Sequence, residues 1–283
     1  MGTLIFPPPK ERATRRLTGE ARVPYRLPAV KVIEVTRAVV LGRKRSIARD
    51  AQWLVLHMPH PPVVLGVENI PATGSLVITL NHHSAPGADS WWGPAVIQSI
   101  LAHHRAAGES DVHWIMTNQW SYEDALRSLI ITPTTRWLFT RMATCYGGIP
   151  MPPMPPRPGE VHERAQAVRK TLAIAQKGGE VMIGLAPEGR DSADGALTDP
   201  PPGTGRFILR ICQHGLRILP AGVYLNDGIL TVQFGKPYVL HPPPGMSKEE
   251  LDRWASDRLM TAIARLLPER LRGRYASLAD SAF

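Results

Sequence analysis

The sequence predicts an α/β fold, a largely parallel or mixed sheet flanked by helices. Three observations predict it. Apolar runs of strand length, such as Leu76 to Leu80 and Val181 to Leu185, alternate with stretches of helical period. Glycine, proline and polar clusters separate these runs at short intervals. With 283 residues, 43% of them hydrophobic, the chain can also bury a full core, as one large domain with appendages or as two small domains.

In order, residues 1 to 28 carry the Pro7-Pro8-Pro9 run, scattered arginines and Pro28, and read as an extended basic arm. Residues 29 to 60 turn helical, as two amphipathic helices meeting near Gly42. In the second, Ile47, Ala51, Leu54, Val55 and Met58 share one face, with Arg43, Lys44, Arg45 and Arg49 near its start. That stripe suits either the protein's own core or a membrane surface. After His60-Pro61-Pro62 the pattern becomes strand and helix in turn. Val63 to Val67 and Leu76 to Leu80 read as strands, Ser90 to Ala107 as a helix and Val112 to Met116 as a strand. Tyr122 to Ile131 and Thr135 to Thr144 read as two helices. Gly147-Gly148 and the proline-dense stretch Met151 to Gly159 interrupt the pattern. A helix over Glu160 to Gln176 follows, then the strand Val181 to Leu185, a helix over Phe207 to Gln213, and strands over Leu216 to Leu225 and Leu230 to Phe234. Beyond Pro242-Pro243-Pro244, Ser247-Lys248-Glu249-Glu250 has the order of a capping box and opens a helix running towards Leu267. The expected organisation is an arm over 1–28, helices over 29–60, an α/β domain over 61–240 and a helical tail over 241–283.

The net charge of +9 is concentrated near the N-terminus, where residues 1 to 50 hold twelve Lys or Arg against four Asp or Glu. A basic segment suits an anionic partner. No nucleic-acid-binding signature is readable, so nucleic acid is not an expected partner. Cys145 and Cys212 lack the spacing of a zinc module or a disulfide framework and fit a reducing compartment. No signal-peptide order opens the sequence, and no run reaches the roughly 18 apolar residues that cross a bilayer. The expected location is cytoplasmic, with peripheral attachment to a membrane.

The stretch Leu76 to Leu80 ends in Asn81-His82-His83-Ser84, and a Pro86-Gly87 turn leads on to Asp89 and Trp91-Trp92. A loop histidine with a carboxylate a few residues on can act as a general base whose ring the acid orients. Adjacent loop histidines can equally be solvated, and an Asp at a helix start can be only a cap. Val181 to Leu185 likewise runs into Ala186-Pro187-Glu188-Gly189-Arg190. If both strands are parallel members of one sheet, both turns lie outside the strand C-termini, where open α/β sheets bind ligands. Arg190 offers a planar fork of donors for a phosphate or carboxylate, and Glu188 can anchor the loop or bond a substrate hydroxyl. An ordinary charged turn is the other reading of Glu188-Gly189-Arg190.

The order Gly66-Val67-Glu68-Asn69-Ile70-Pro71, Asn81-His82-His83-Ser84, Pro187-Glu188-Gly189-Arg190 and Leu219-Pro220-Ala221-Gly222-Val223 resembles the glycerolipid acyltransferase superfamily, of the lysophosphatidic-acid acyltransferase type. The tail, Ile263 to Glu269 followed by Arg272-Gly273-Arg274-Tyr275, resembles bacterial members. The resemblance implies acyl transfer from a thioester, acyl-CoA or acyl-ACP, to a hydroxyl of a lysophospholipid or glycerol-phosphate acceptor. It implies no metal, no further cofactor and no acyl-enzyme. By the same resemblance His82 is the general base, oriented by Asp89, with His83 as the alternative base. Asn81, Ser84, Glu188, Gly189, Arg190 and Arg157 shape the substrate site, and the N-terminal helices lie on an anionic membrane surface.

The pattern differs from that family in three places. The family's acid stands five positions after the histidine, where this chain has Gly87, while Asp89 lies seven after His82. Two extra residues that bulge out would restore the contact. The family's glycine, β-branched and arginine block is replaced by Gly147-Gly148-Ile149-Pro150, with Arg157 coming late. Ala186 stands where an aromatic often precedes Pro-Glu-Gly. The competing reading is a non-catalytic lipid-binding relative that kept the cleft and lost the histidine–aspartate pair.

Overall fold

The computed structural model describes residues 25–85, 88–105, 111–120, 122, 124–154, 157, 159–190, 192 and 194–280. The basic arm up to residue 24, the Pro86-Gly87 turn and part of the proline-dense stretch lie outside these. Seven strands form one sheet: β1 (Val63–Leu65), β2 (Leu76–Leu80), β3 (His113–Thr117), β4 (Ile149–Met151), β5 (Met182–Leu185), β6 (Arg217–Asn226) and β7 (Ile229–Phe234). Their order is β1-β7-β6-β2-β5-β3-β4, which places β2 at the centre. Strands β6, β2, β5, β3 and β4 run parallel. β7 is antiparallel to β6, and β1 follows β7 in parallel. The reversal comes from a two-residue hairpin in which Asp227 and Gly228 both have positive φ, a turn whose twist matches that of the flanking strands.

Alternation along the strands divides the core in two. Leu76, Ile78 and Leu80 of β2, Trp114 of β3 and Met182 of β5 face one side. There they meet the helices α2 (Ile47–Leu56) and α3 (Trp92–His104). Val77, Ile183 and Leu185 face the other side, against α5 (Glu160–Ala175), α6 (Thr204–Cys212) and α7 (Lys248–Ala264). Close approach on the first side depends on two glycines without room for a side chain. A Cβ on Gly93 of α3 would sit 2.8 Å from the Val223 side chain, and one on Gly184 would sit 2.4 Å from the Trp114 ring.

The two N-terminal helices, α1 (Ala29–Leu41) and α2, meet at Gly42, whose left-handed φ lets its own N–H bond back to Val39 and that of Arg43 to Ala38. The apolar stripe of α2 packs against α3 and the sheet, so of its two expected uses the protein's own core takes it. Exposed apolar residues are found on α1, at Val30, Ile33, Val40 and Leu41, and on α4 (Ala125–Cys145), at Leu129, Ile130 and Trp137, as well as at Leu56 where α2 ends. Helices α1 and α4 touch: Arg141 of α4 donates to the Val39 and Val40 carbonyls at the end of α1. α4 is one helix with Pro133 inside it, where the sequence reads as two. Strand β4 occupies the Gly-Pro text expected to interrupt the pattern. It is an edge strand, where a missing proline N–H costs no ladder bond. The expected capping box at Ser247 opens α7, with Glu250 and Ser247 exchanging backbone donors at 2.8 and 3.2 Å. The chain ends in turns at Glu269–Leu271 and Gly273–Tyr275 and the short α8 (Ala276–Asp280).

Candidate functional site

Because β2 and β5 are adjacent and parallel, the turns after Leu80 and Leu185 emerge side by side at one sheet edge. Asn81 is the first residue beyond β2 and is buried. Its side-chain amide donates to the Val223 carbonyl at 2.8 Å and accepts the Val223 N–H at 2.7 Å, so the side chain continues the β2–β6 ladder past the end of the strand. That fixes where the next residue, His82, begins. The His82 N–H then donates to the Glu188 carboxylate at 2.7 Å, tying the histidine turn to the turn after β5.

Glu188 is 2% exposed, and its second oxygen accepts the Thr198 N–H at 2.7 Å and the Thr198 hydroxyl at 3.3 Å. Burial pushes its pKa above the ordinary glutamate value. The His82 and Thr198 donors and the nearby charge of the His82 ring act in the opposite direction, favouring the ionised form. The turn that presents it closes with Gly189 N–H donating to the Ala186 carbonyl at 3.1 Å, and Gly189 takes a left-handed φ of 65°. Arg190 follows, exposed, and its charge reaches the Asp199 carboxylate.

The remaining candidates divide. His83 is buried, its Nδ1 side turned towards Gly195, and Ser84 is half-buried on the same loop. Ala85 and Ala88 exchange two backbone hydrogen bonds of 3.0 and 2.9 Å. That pairing brings the two alanines side by side between His83-Ser84 and Asp89. The carboxylate itself is exposed, and it accepts the Trp91 indole N–H at 3.3 Å. Arg157 comes after the edge strand β4, which is itself three strands from β2. Its guanidinium donates to the Tyr122 carbonyl at 2.9 Å and reaches the Ser128 hydroxyl at 3.4 Å. The structure thus brings Asn81, His82, Glu188 and Gly189 together and sets Arg157 apart. Thr198 is the member that sequence reasoning missed. It lies between Leu197 and Asp199 in a stretch without period or motif, so no local signal marks it. Among the described residues no group of three His, Cys, Asp or Glu side chains could hold a metal ion.

Fold and loop together define a class: an open α/β sheet carrying, at its ligand edge, a histidine beside a buried carboxylate, with an exposed arginine two residues beyond that carboxylate. Such a set can take a proton from an anionic substrate. Among solved structures the chain is similar to that of the 1-acyl-sn-glycerophosphate (LPA) acyltransferase, PlsC, from Thermotoga maritima. The two are 16% identical, with 83% of this chain and 81% of that chain covered and a TM-score of 0.42. No protein-family model and no curated protein matches the chain.

Proposed function

We propose that this protein is an O-acyltransferase that moves an acyl group from a thioester to a hydroxyl of a lysophospholipid or glycerol-phosphate acceptor. The observation that carries the reading is the 2.7 Å bond from the His82 amide to Glu188. It joins, at one sheet edge, the two motifs whose order resembles the lysophosphatidic-acid acyltransferases. In this reading the His82 imidazole accepts the proton of the acceptor hydroxyl as the oxygen attacks the thioester carbonyl. The carbon–sulfur bond then breaks, and the leaving thiolate takes up the proton. Glu188 holds the loop, while Arg190 meets the acceptor phosphate. Acyl-CoA or acyl-ACP serves as co-substrate, and the chemistry asks for no other cofactor.

A lipid acceptor calls for contact with a membrane surface. No helix among the described residues is long and apolar enough to cross one. The exposed apolar residues of α1 and α4 stand beside Arg37, Arg43, Lys44 and Arg141, a combination that suits an anionic bilayer.

Purified protein incubated with mixed acyl thioesters and lysolipids, with products read by mass spectrometry, tests the proposal. Product from the wild type and none from His82→Ala is the expected result, and equal product from both would remove His82 from the chemistry. The exposure of Asp89 and its bond to Trp91 favour a second reading, lipid binding without catalysis. That reading requires lysolipid binding with no acylated product from any donor.

A further inference from the structure

We propose that the C-terminal turn Gly273–Tyr275 is a positioning element of the histidine loop, acting through the segment Gly195 to Asp199. The functional wording rests on the acyltransferase reading; the mechanical link does not. Residues Ala196 to Asp199 belong to no helix or strand, so their place depends on what grips them from each side. On one side Thr198 gives two donors to Glu188, whose other oxygen holds the His82 N–H. A Cβ on Gly195 would lie 4.0 Å from His83 Nδ1. On the other side stands the tail. The Leu197 N–H donates to the Leu271 carbonyl at 2.9 Å, and the Leu197 side chain is buried among Met260, Ile263, Leu267, Leu271 and Tyr275. A Cβ on Gly273 would lie 2.4 Å from the Leu197 carbonyl oxygen, so tail and segment meet backbone to backbone.

The tail also holds Asp199, next to Thr198. Its carboxylate accepts the hydroxyl of the fully buried Tyr275 at 2.9 Å and a guanidinium N–H of Arg274. Arg274 also bonds Asp257 of α7 at 3.0 Å, which ties the turn to a seventeen-residue helix. From Tyr275 to the His82 amide the route is therefore continuous: Tyr275 to Asp199, through the chain to Thr198, across to Glu188 and on to His82. Tyr275 and Arg274 touch no reacting atom in this scheme. They set where Glu188 stands, and Glu188 sets where His82 stands.

Residue-resolved hydrogen exchange on the full chain, comparing wild type with Tyr275→Phe and with Gly273→Ala, tests the link without relying on turnover. Tyr275→Phe keeps the buried ring and removes only the hydroxyl, so it decides the matter if Gly273→Ala fails to fold. The expected result is exchange about tenfold faster at the Thr198 and His82 amides. The Val223 amide, held by Asn81, and the amides of β2 stay unchanged. Unaltered exchange at Thr198 and His82 would overturn the proposal. So would a rise of equal size at Val223 and β2, which would make the tail a general support only. In an acyl-transfer assay Tyr275→Phe should lower kcat and leave the acceptor KM in place. Absence of turnover in the wild type would reject the acyltransferase reading while the exchange data still judge the tail.

Discussion

His82 and Glu188 carry the sharpest predictions at the residue scale. As general base, His82 should be worth on the order of 10²- to 10⁴-fold in rate, so His82→Ala should lose nearly all turnover, while His83→Ala costs much less. Asp89→Asn should keep turnover within about tenfold of wild type, because the carboxylate bonds Trp91. Steady-state kinetics of the three variants reads all three outcomes, and a dead His83 variant beside an active His82 variant would reverse the assignment. Glu188→Gln retains shape but sets an amide NH₂ against the N–H of His82 or Thr198. The expected loss is about 1–3 kcal/mol in urea unfolding. The sign of its pH dependence follows from burial. A folded pKa raised above 4.5 contributes stability that is full below that value and lost as pH rises through the folded pKa. Wild-type stability should therefore fall as pH climbs from 4, read by urea unfolding at each pH. Of this site, His82 and the Glu188 turn were legible because each directly follows an apolar strand. The Asn81–Val223 pair was not, since it joins residues 142 apart in the chain.

Among the elements, the attachment of α1 rests on a cluster of charges taken out of water. Asp50 of α2 is buried and accepts from Arg45 at 2.6 and 2.7 Å and from the Tyr146 hydroxyl at 2.7 Å, with Lys31 of α1 at 2.8 Å. Lys31 itself is buried and lies over the Trp53 ring. Burial works to raise the Asp50 pKa, but these donors outweigh it and hold the carboxyl at about 2. A depressed pKa contributes stability that is present above the ordinary value of 3.8 and lost as pH falls towards 2. Asp50→Asn leaves Lys31 and Arg45 with only the half-exposed Glu34 as counter-ion and an uncompensated charge on buried Lys31. It should cost about 3–5 kcal/mol by urea denaturation at neutral pH, and a loss below 1 kcal/mol would show that the cluster is dispensable. Nothing in the pattern of α1 announces a buried lysine, because its partners come from α2. α4 was read as two helices since Pro133 removes a backbone donor. The helix nonetheless runs through it, with Thr134 and Thr135 returning hydroxyl bonds of 2.7 and 2.9 Å to the Ile130 and Ile131 carbonyls in the next turn. β4 was hidden by Pro150 and the prolines that follow it, and only pairing with β3 reveals it. By contrast β2, β5, β6 and α7 stood within a residue or two of their sequence-derived starts, since their apolar runs and the Ser247 cap are local signals.

For the whole molecule, the apolar residues left on the surface and the excess of basic charge point to one test. Wild-type protein should float with anionic vesicles and release as salt rises. Ile33→Asp and Leu129→Asp, at positions 68% and 75% exposed, should abolish flotation without loss of fold. Equal flotation of all three proteins would mean that α1 and α4 are not the contacting face. The same surface has a point of origin for the residues that precede it. Tyr25 is buried beside Trp92, the first residue of α3: the Trp92 indole donates to the Tyr25 carbonyl at 3.1 Å. The Tyr25 hydroxyl donates to the Gly228 carbonyl at 3.3 Å and accepts the Leu230 N–H at 2.9 Å, at the tip of the β6–β7 hairpin. Both the start of α3 and that tip belong to the edge that carries His82. Tyr25 thus fixes, at the edge that carries the histidine loop, the point at which residues 1–24, with five Lys or Arg against two Glu, join the described chain. That junction is a matter of address rather than of charge: the same sequence joined at the opposite edge of the sheet would keep every basic residue and lose the junction's nearness to His82.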